Sequence, residues 1–376
     1  MMNLQPKQIG EEKIPAIGQG CMGIGGRFTI DRSRDAEQIA ALKLGIDLGM
    51  TFIDTAEGYG GGHSEELVGE AVAGIREYVF LASKVSPNHL SVELLTLACE
   101  DSLRRLKTDR LDLYQVHWPN PAIPLEETLG GLLRLREQGK IRHIGVSNFS
   151  LPELRRTRSI LGSTPLFSVQ TEYNLFERGP EEGIIPWCAK EGVLFIAYSP
   201  LDQGRVVGSE AVRLRLVKLA RDVGCTPSQL ALAFLRSQGP VLPIPKALSE
   251  EHIRENAGAS EIVLPSGIRS QMDAECRVEV KLVPWHHIRP APDKTGDHAV
   301  YTTIEEARAN LAGHSPSPQD LAMEIVRNDR IKPIRVTPIS EGNGVFQYDL
   351  AEGRIRFWAW VLAFDGERDV PVLVRD

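Results

Sequence analysis

Thr51-Phe52-Ile53-Asp54-Thr55-Ala56-Glu57-Gly58-Tyr59-Gly60 runs from a short apolar segment through an acid into a glycine-rich turn that carries a lone phenol. Phe52 and Ile53 read as a buried strand, and Asp54 stands where that strand would surface. Gly58, Gly60, Gly61 and Gly62 let the backbone turn sharply before Ser64-Glu65-Glu66-Leu67-Val68 opens a helix. Asp54 and Tyr59 should therefore share one rim. A phenol titrates near ~10, so Tyr59 is a useful proton donor at neutral pH only beside a fixed cation. Phe80-Leu81-Ala82-Ser83-Lys84 is a second apolar run, ending in an ammonium, and Leu113-Tyr114-Gln115-Val116-His117-Trp118-Pro119 is a third, ending in an imidazole. If the three strands are parallel neighbours, Asp54, Lys84 and His117 fall around Tyr59.

Outward from this stretch the pattern alternates. Helical periodicity near residues 34–49, 64–74, 91–106, 126–138, 150–160, 181–191, 211–238 and 249–258 interleaves with apolar runs near 51–54, 79–83, 111–116, 141–146, 167–170, 193–198 and 241–244. Strand-helix alternation predicts a parallel α/β sheet, with an eighth strand near 18–22 if it closes. Gly18-Gln19-Gly20-Cys21-Met22-Gly23 matches a dinucleotide-binding fingerprint, but helical periodicity starts only near Arg34, so the match reads as accidental. Pattern alone is nearly neutral between an open sheet and a closed barrel. Polar residues at almost every strand end favour the barrel, because an open sheet gathers its site at one switch point.

The chain has 376 residues, 42% hydrophobic and 25% charged, with a formal net charge of -7, a soluble composition that argues against a general nucleic-acid binder. No apolar run approaches the roughly 20 residues of a membrane helix, and Met1-Met2-Asn3-Leu4-Gln5-Pro6-Lys7 lacks a signal-peptide core, which predicts a cytoplasmic protein without a membrane partner. Five scattered cysteines fit reduced thiols, and no metal site is predicted.

The ordered set Asp54, Tyr59, Lys84 and His117, with Gly145-Val146-Ser147-Asn148-Phe149, Gln170-Thr171-Glu172-Tyr173-Asn174 and Pro243-Ile244-Pro245-Lys246, resembles the aldo-keto reductase family from about residue 9 to 275. The resemblance implies a (β/α)8 TIM barrel over 1–275 and an NAD(P)H-dependent oxidoreductase that interconverts an aldehyde or ketone with its alcohol. It makes Asp54, Tyr59, Lys84 and His117 catalytic: Tyr59 as general acid/base, Lys84 lowering its pKa with Asp54 as partner, and His117 orienting the carbonyl. It also implies a cofactor strip. Gly20, Met22 and Asp54 would border the cofactor, Ser147, Asn148 and Gln170 would hold the nicotinamide carboxamide, and Tyr198 would stack on the ring. Ser199, Leu201 and Gln203 would cross the pyrophosphate, and Lys246, His252, Glu255 and Asn256 would meet the adenosine end. Ala247 and His252 replace a serine and an arginine common in the family, so NADP is expected with a weaker grip and NAD stays open. The residues alone admit other readings: helix capping for Asn148 and Ser150, a redox sensor that binds cofactor without turnover, or an aldolase-type barrel using Lys84 as a Schiff base.

After Glu275 the alternation stops, and 277–376 reads as a second, small α+β domain with a helix start at Ser317-Pro318-Gln319-Asp320. The order Val280-Lys281-Leu282-Val283-Pro284, Ile331-Lys332-Pro333-Ile334-Arg335-Val336, Tyr348-Asp349-Leu350-Ala351-Glu352-Gly353-Arg354-Ile355-Arg356-Phe357-Trp358-Ala359 and Val370-Pro371-Val372 resembles the ParB and sulfiredoxin-like domain. Gly353 and Arg356 would then mark a phosphate-binding turn, making a nucleotide or protein the expected partner. Arg354 stands where sulfiredoxin has its cysteine. With 13 Lys and Arg against 15 Asp and Glu over 277–376, DNA is disfavoured as a partner.

Overall fold

The computed structural model describes residues 6–204, 210–276, 280–290, 301–314, 317–328, 331–339 and 345–374. The chain divides into two compact units, Met1–Arg277 and Val278–Asp376.

In the first unit, an antiparallel hairpin of β1 (Lys7–Ile9) and β2 (Glu12–Ile14) precedes eight parallel strands. These are β3 (Gln19–Gly20), β4 (Phe52–Asp54), β5 (Phe80–Val85), β6 (Leu111–Val116), β7 (Ile141–Ser147), β8 (Leu166–Glu172), β9 (Leu194–Tyr198) and β10 (Val241–Pro243), paired in sequence order. The sheet curls shut. Gly18 N donates to Pro243 O at 2.9 Å and Gly20 N to Pro245 O at 3.2 Å, which joins the first barrel strand to the last. Only glycine fits this seam, since a Cβ on Gly20 would sit 2.7 Å from Ile244 O. The eighth strand expected near 18–22 is thus a two-residue strand, too short to give a clear apolar run.

Strand alternation divides the core. Phe52, Ala82, Leu113, Phe167, Leu194, Ile196 and Leu242 point into the barrel and pack with Ile9 and Ile14 of the hairpin, which fills its lower end. Their neighbours Ile53, Leu81, Tyr114, Val116, Val146, Val169 and Phe195 point outward against the helices. Phe52 stacks on Phe80 at a centroid distance of 5.0 Å, and Phe80 on Phe167 at 5.5 Å.

The helices are α1 (Asp35–Asp47), α2 (His63–Ala71), α3 (Val92–Leu106), α4 (Leu125–Glu137), α5 (Leu151–Leu161), α6 (Ile184–Glu191), α7 (Glu210–Val223), α8 (Pro227–Arg236), α9 (Glu250–Gly258) and α10 (Ser266–Glu275). Ser150 and Glu153 form a capping box that starts α5, so the capping reading holds for Ser150. The single helix expected over 211–238 is two. Thr226 caps α8 in a box with Gln229, Pro227 takes its first turn, and Gly224 at φ 78° ends the previous segment. Among the described residues, no helix is long and apolar enough to cross a membrane.

The second unit is a five-stranded sheet of order β11-β15-β13-β14-β12, formed by β11 (Lys281–Val283), β12 (Ile288–Arg289), β13 (Ile334–Pro338), β14 (Tyr348–Glu352) and β15 (Val370–Val374). It packs with α11 (Ile304–Arg308), α12 (Pro318–Asn328) and α13 (Arg354–Ala363). Trp358 and Trp360 belong to this core, and their indole N–H groups donate to Tyr301 O and Asp369 O at 2.9 and 3.1 Å. Among the described residues of this unit, aromatics serve packing first.

Phe52→Ala should lower the stability of the barrel by about 3 kcal/mol, read as an earlier urea midpoint, because a fully buried stacked ring leaves a cavity that rigid strands cannot close.

Candidate active site

Barrel strands end in side chains that alternate inward, so one polar level forms at the carboxyl rim. Asp54 ends β4, Lys84 lies near the end of β5, His117 follows β6, Ser147 ends β7, Gln170 lies on β8 and Tyr198 ends β9. Tyr59 comes from the turn after β4. That turn needs glycine: Gly60, Gly61 and Gly62 have φ of 56°, 59° and 96°, and a Cβ on Gly60 would lie 2.3 Å from Gly25 O. It is pinned from two sides, by Gly60 N donating to Arg27 O at 3.1 Å and by Glu57 Oε1 accepting from Ser86 N at 2.6 Å.

At the centre, the fully buried Lys84 Nζ donates to Asp54 Oδ1 at 2.5 Å, Thr55 O at 2.9 Å and the Tyr59 hydroxyl at 3.2 Å. All three ammonium protons have acceptors. Burial by itself pushes the ammonium toward neutrality, but the charge of Asp54 and the Tyr59 oxygen outweigh it and hold Lys84 above its ordinary pKa. Burial raises the Tyr59 phenol, and the Lys84 cation pulls it back only in part. His117 meets the Tyr59 ring edge-on at 5.6 Å. Burial first, and the Lys84 charge second, push its pKa down to about 3, so at neutral pH it is an uncharged imidazole. The four side chains expected to act together do meet.

Asn148, left-handed at φ 64°, donates through Nδ2 to His117 O and Ser147 Oγ, both at 3.0 Å, and accepts from the Tyr198 hydroxyl at 3.0 Å. Its side chain thus links three strand ends rather than capping α5. Gln170 Nε2 donates to Asp54 Oδ2 at 2.8 Å. Ser199 (φ 47°) and Asp202 (φ 49°) bend the chain after β9, and Asn174 Nδ2 steadies the bend by donating to Ser199 O at 3.2 Å. Leu201 is half-buried there; the side chain of Gln203 and the segment 205–209 lie outside the described residues. Gly20 approaches the backbone of Ile244, which gives it a packing reason of its own, and Met22 is half-buried just beyond it.

The far end of the expected strip lies where β10 leads into α9. Ser249 caps α9 by accepting from His252 N at 3.3 Å, His252 is exposed, and Glu255 accepts from the Thr226 hydroxyl at 2.5 Å. Asn256 is buried, 4% exposed, and its amide has no hydrogen-bond partner among the described residues. Lys246 likewise has no carboxylate partner there; desolvation and the charge of Arg34 lower its pKa. An exposed ammonium without a carboxylate partner, with an accessible amide that makes no hydrogen bond on the adjacent helix, suits an anionic nucleotide. The residues present therefore fit the dinucleotide.

Gln115 was not singled out in the sequence, although it alternates inward two residues before His117. It completes the site by donating to Asp54 Oδ2 at 3.1 Å. Among the described residues, no group of His, Cys, Asp and Glu is arranged to hold a metal ion. In the second unit Gly353 is left-handed at φ 97° and heads α13, but Arg356 Nη1 donates to Lys332 O and Pro333 O at 2.8 and 3.2 Å. The arginine expected at a phosphate turn is engaged in tying backbone.

A closed eight-stranded parallel barrel with a lysine-acid-tyrosine cluster and an imidazole at its carboxyl rim defines a class of oxidoreductase barrels. Residues 16–274 match the Aldo/keto reductase family, and the chain belongs to that family. It is 39% identical over 274 residues to methylglyoxal reductase YeaE of Escherichia coli (strain K12), covering 72% of this chain and 95% of that protein. Among solved structures it is similar to the thermostable aldo-keto reductase Tm1743 in complex with epalrestat (45% identity, TM-score 0.69, 72% of this chain and 98% of that one). It is also similar to an aldo/keto reductase from Klebsiella pneumoniae in complex with NADP and acetate (38% identity, TM-score 0.66, 72% and 95%). The family match ends before the second unit.

Because the folded-state pKa of His117, about 3, lies below its ordinary 6.5, the unfolded chain binds this proton first and stability is lost as pH falls from 6.5 toward 3. The ring protons of His117 should show no titration in NMR spectra between pH 8 and 5, where an exposed histidine would shift fully.

Proposed function

We propose that the protein reduces an aldehyde or ketone to an alcohol with NADPH, with Tyr59 as the proton donor. The observation that carries this reading is the buried Lys84 ammonium lodged between Asp54 and the Tyr59 hydroxyl. The names of the relatives support it, one being a methylglyoxal reductase and another binding NADP.

A bound nicotinamide dinucleotide supplies the hydride that reaches the carbonyl carbon. The chain itself supplies position and proton. Neutral His117 donates a hydrogen bond to the carbonyl oxygen without competing as an acid. Tyr59 gives its hydroxyl proton to that oxygen, and the phenolate left behind accepts from Lys84, whose charge Asp54 maintains. In alcohol oxidation the same phenolate takes the proton back, so that direction should be favoured by rising pH. Ser147, Asn148 and Gln170 would orient the carboxamide and Tyr198 would face the ring. Lys246, with Arg34 near it, would take the 2'-phosphate, which favours NADPH over NADH. His252, lacking the arginine fork, would weaken that preference, while Glu255 and Asn256 would border the adenine.

Purified protein should oxidise NADPH in the presence of small aldehydes, followed at the nicotinamide absorbance band. Tyr59→Phe should lose at least about a hundredfold in kcat while keeping NADPH affinity, since general acid catalysis is worth that much. Tyr59→Phe turnover equal to wild type would remove Tyr59 from the mechanism, and tight NADPH binding without turnover of any carbonyl would favour a cofactor-binding sensor.

For the C-terminal unit we propose a ParB/sulfiredoxin-like domain that modulates substrate access or assembly without supplying the chemistry. The strand-glycine-helix order of β14, Gly353 and α13 supports the likeness. With Arg356 engaged by backbone carbonyls, nucleotide binding there is left to the N–H groups of the α13 terminus. A chain ending at Arg277 should remain soluble and reduce a small, unselective aldehyde with NADPH. A folded barrel of that length with cofactor affinity but no turnover would show that the second unit carries an essential group.

A further inference from the structure

Lys84 occupies one oxygen of the Asp54 carboxylate; the other is held by amides. Asp54 Oδ2 accepts from Gln115 Nε2 at 3.1 Å and from Gln170 Nε2 at 2.8 Å, and Gln115 and Gln170 are 0% and 2% exposed. The opposite end of the Gln115 amide is equally committed, with Oε1 accepting from Ser168 Oγ at 3.2 Å and Gln170 Nε2 at 3.4 Å. This settles the orientation of the amide: reversed, it would set an oxygen against the Asp54 carboxylate and an N–H group against the Gln170 N–H.

The backbone makes room for the network. Gln115 stands in register with Lys84 on one side and Gly145 on the other. A Cβ on Gly145 would come within 2.3 Å of Ser168 Oγ and 2.8 Å of Gln115 Cγ. Glycine on β7 thus lets side chains of β6 and β8 meet across it. A glutamine at 0% exposure is costly unless both ends are bonded, and here they are.

We propose that Gln115 is a positioning residue of the reductase site: its amide holds the second oxygen of Asp54, so that the first stays on Lys84 and Lys84 stays on the Tyr59 hydroxyl. The proposal rests on the carbonyl-reductase reading above. A carboxylate can swing about its Cβ–Cγ bond; Gln115 and Gln170 together hold Oδ2, and without Gln115 a single amide is left to fix the plane. The amide also draws off part of the negative charge that Asp54 presents to Tyr59. The ionisable groups acting on the phenol are Lys84, Asp54 and Cys21, with the neutral His117 ring at its edge, and of these only Lys84 favours the phenolate. Removing the Gln115 donor leaves Oδ2 to Gln170 alone, so Asp54 is more negative and held by one amide instead of two, and Tyr59 becomes the weaker acid.

The test compares full-length wild type with Gln115→Met, which keeps length and volume but has no donor. Aldehyde reduction with NADPH, alcohol oxidation with NADP as a function of pH, NADPH affinity by fluorescence and the thermal midpoint are measured. Gln115→Met should show kcat about tenfold lower, the loss expected for one hydrogen bond to a charged group. Its KM and NADPH affinity should change by less than about twofold, because no ground-state contact is removed. The rising limb of alcohol oxidation should move to higher pH, a shift that a merely structural lesion would not produce. Ser168→Ala, which removes the shorter of the two hydrogen bonds to the far end of the amide, should shift kcat and the limb in the same direction by less. A folded Gln115→Met protein with wild-type kcat, or with lower kcat on an unmoved limb, overturns the proposal. If Gln115→Met does not fold, Ser168→Ala decides, and an unchanged limb there overturns it. Wild-type protein that turns over no carbonyl, or Tyr59→Phe protein that turns over normally, refutes the functional reading itself and this proposal with it.

Discussion

The ion pair between Lys84 and Asp54 is the constraint around which the barrel rim is built. Both side chains are almost entirely removed from water, and the desolvation of two charges is recovered only when geometry is good and every remaining hydrogen-bonding atom has a partner. Here that condition is met. Lys84 has three acceptors, and Asp54 receives the ammonium on one oxygen and two amides on the other. Losing one partner of such a pair typically costs about 3–5 kcal/mol, because a charge is stranded in the interior. The arrangement is therefore poor as a source of stability and well suited to holding a cation against a phenol.

The requirement spreads outward. Lys84 reaches Asp54 because β4 and β5 are parallel neighbours in fixed register, with Asp54 opposite Ala82. Tyr59 reaches Lys84 because three consecutive glycines take left-handed backbone that a side chain would strain, and because Glu57 and Arg27 hold the turn at both ends. The Gln115 amide reaches Asp54 because Gly145 leaves the barrel interior open at that level. Glycines at seams, at turns and beneath the network do most of the positioning, by leaving space.

The two units divide the chain's chemistry unevenly. The barrel places the Lys84–Asp54 pair inside and satisfies it there, whereas the second unit spends arginines on structure: Arg335 is buried against Glu352, and the half-buried Arg356 donates to two carbonyls. A small domain with a tryptophan-rich core uses polar contacts to tie strands to helix ends, and no comparable cluster of catalytic groups occurs among its described residues.

Much of this was legible in the sequence. Apolar runs ending in Asp54, Lys84 and His117 determine strands whose last inward positions are polar, and the helix-strand alternation determines a parallel sheet, since period and chain length are local properties. Ser150, and Thr226 with Pro227, are likewise local signals, although the second was overridden by an apolar pattern that continued across it. Tertiary structure alone decided closure, because β3 has two residues and its seam depends on backbone approach rather than on any motif. It also decided the partners of buried polar side chains. Nothing near Gln115, Gln170 or Ser168 in sequence says that the two amides converge on Asp54 and the hydroxyl on Gln115, since Gln170 lies 116 residues from Asp54 and they meet only once the barrel shuts. Arg356 shows the converse: its place beside Gly353 is written in the sequence, but what its guanidinium bonds depends on carbonyls more than twenty residues away, brought close by the sheet.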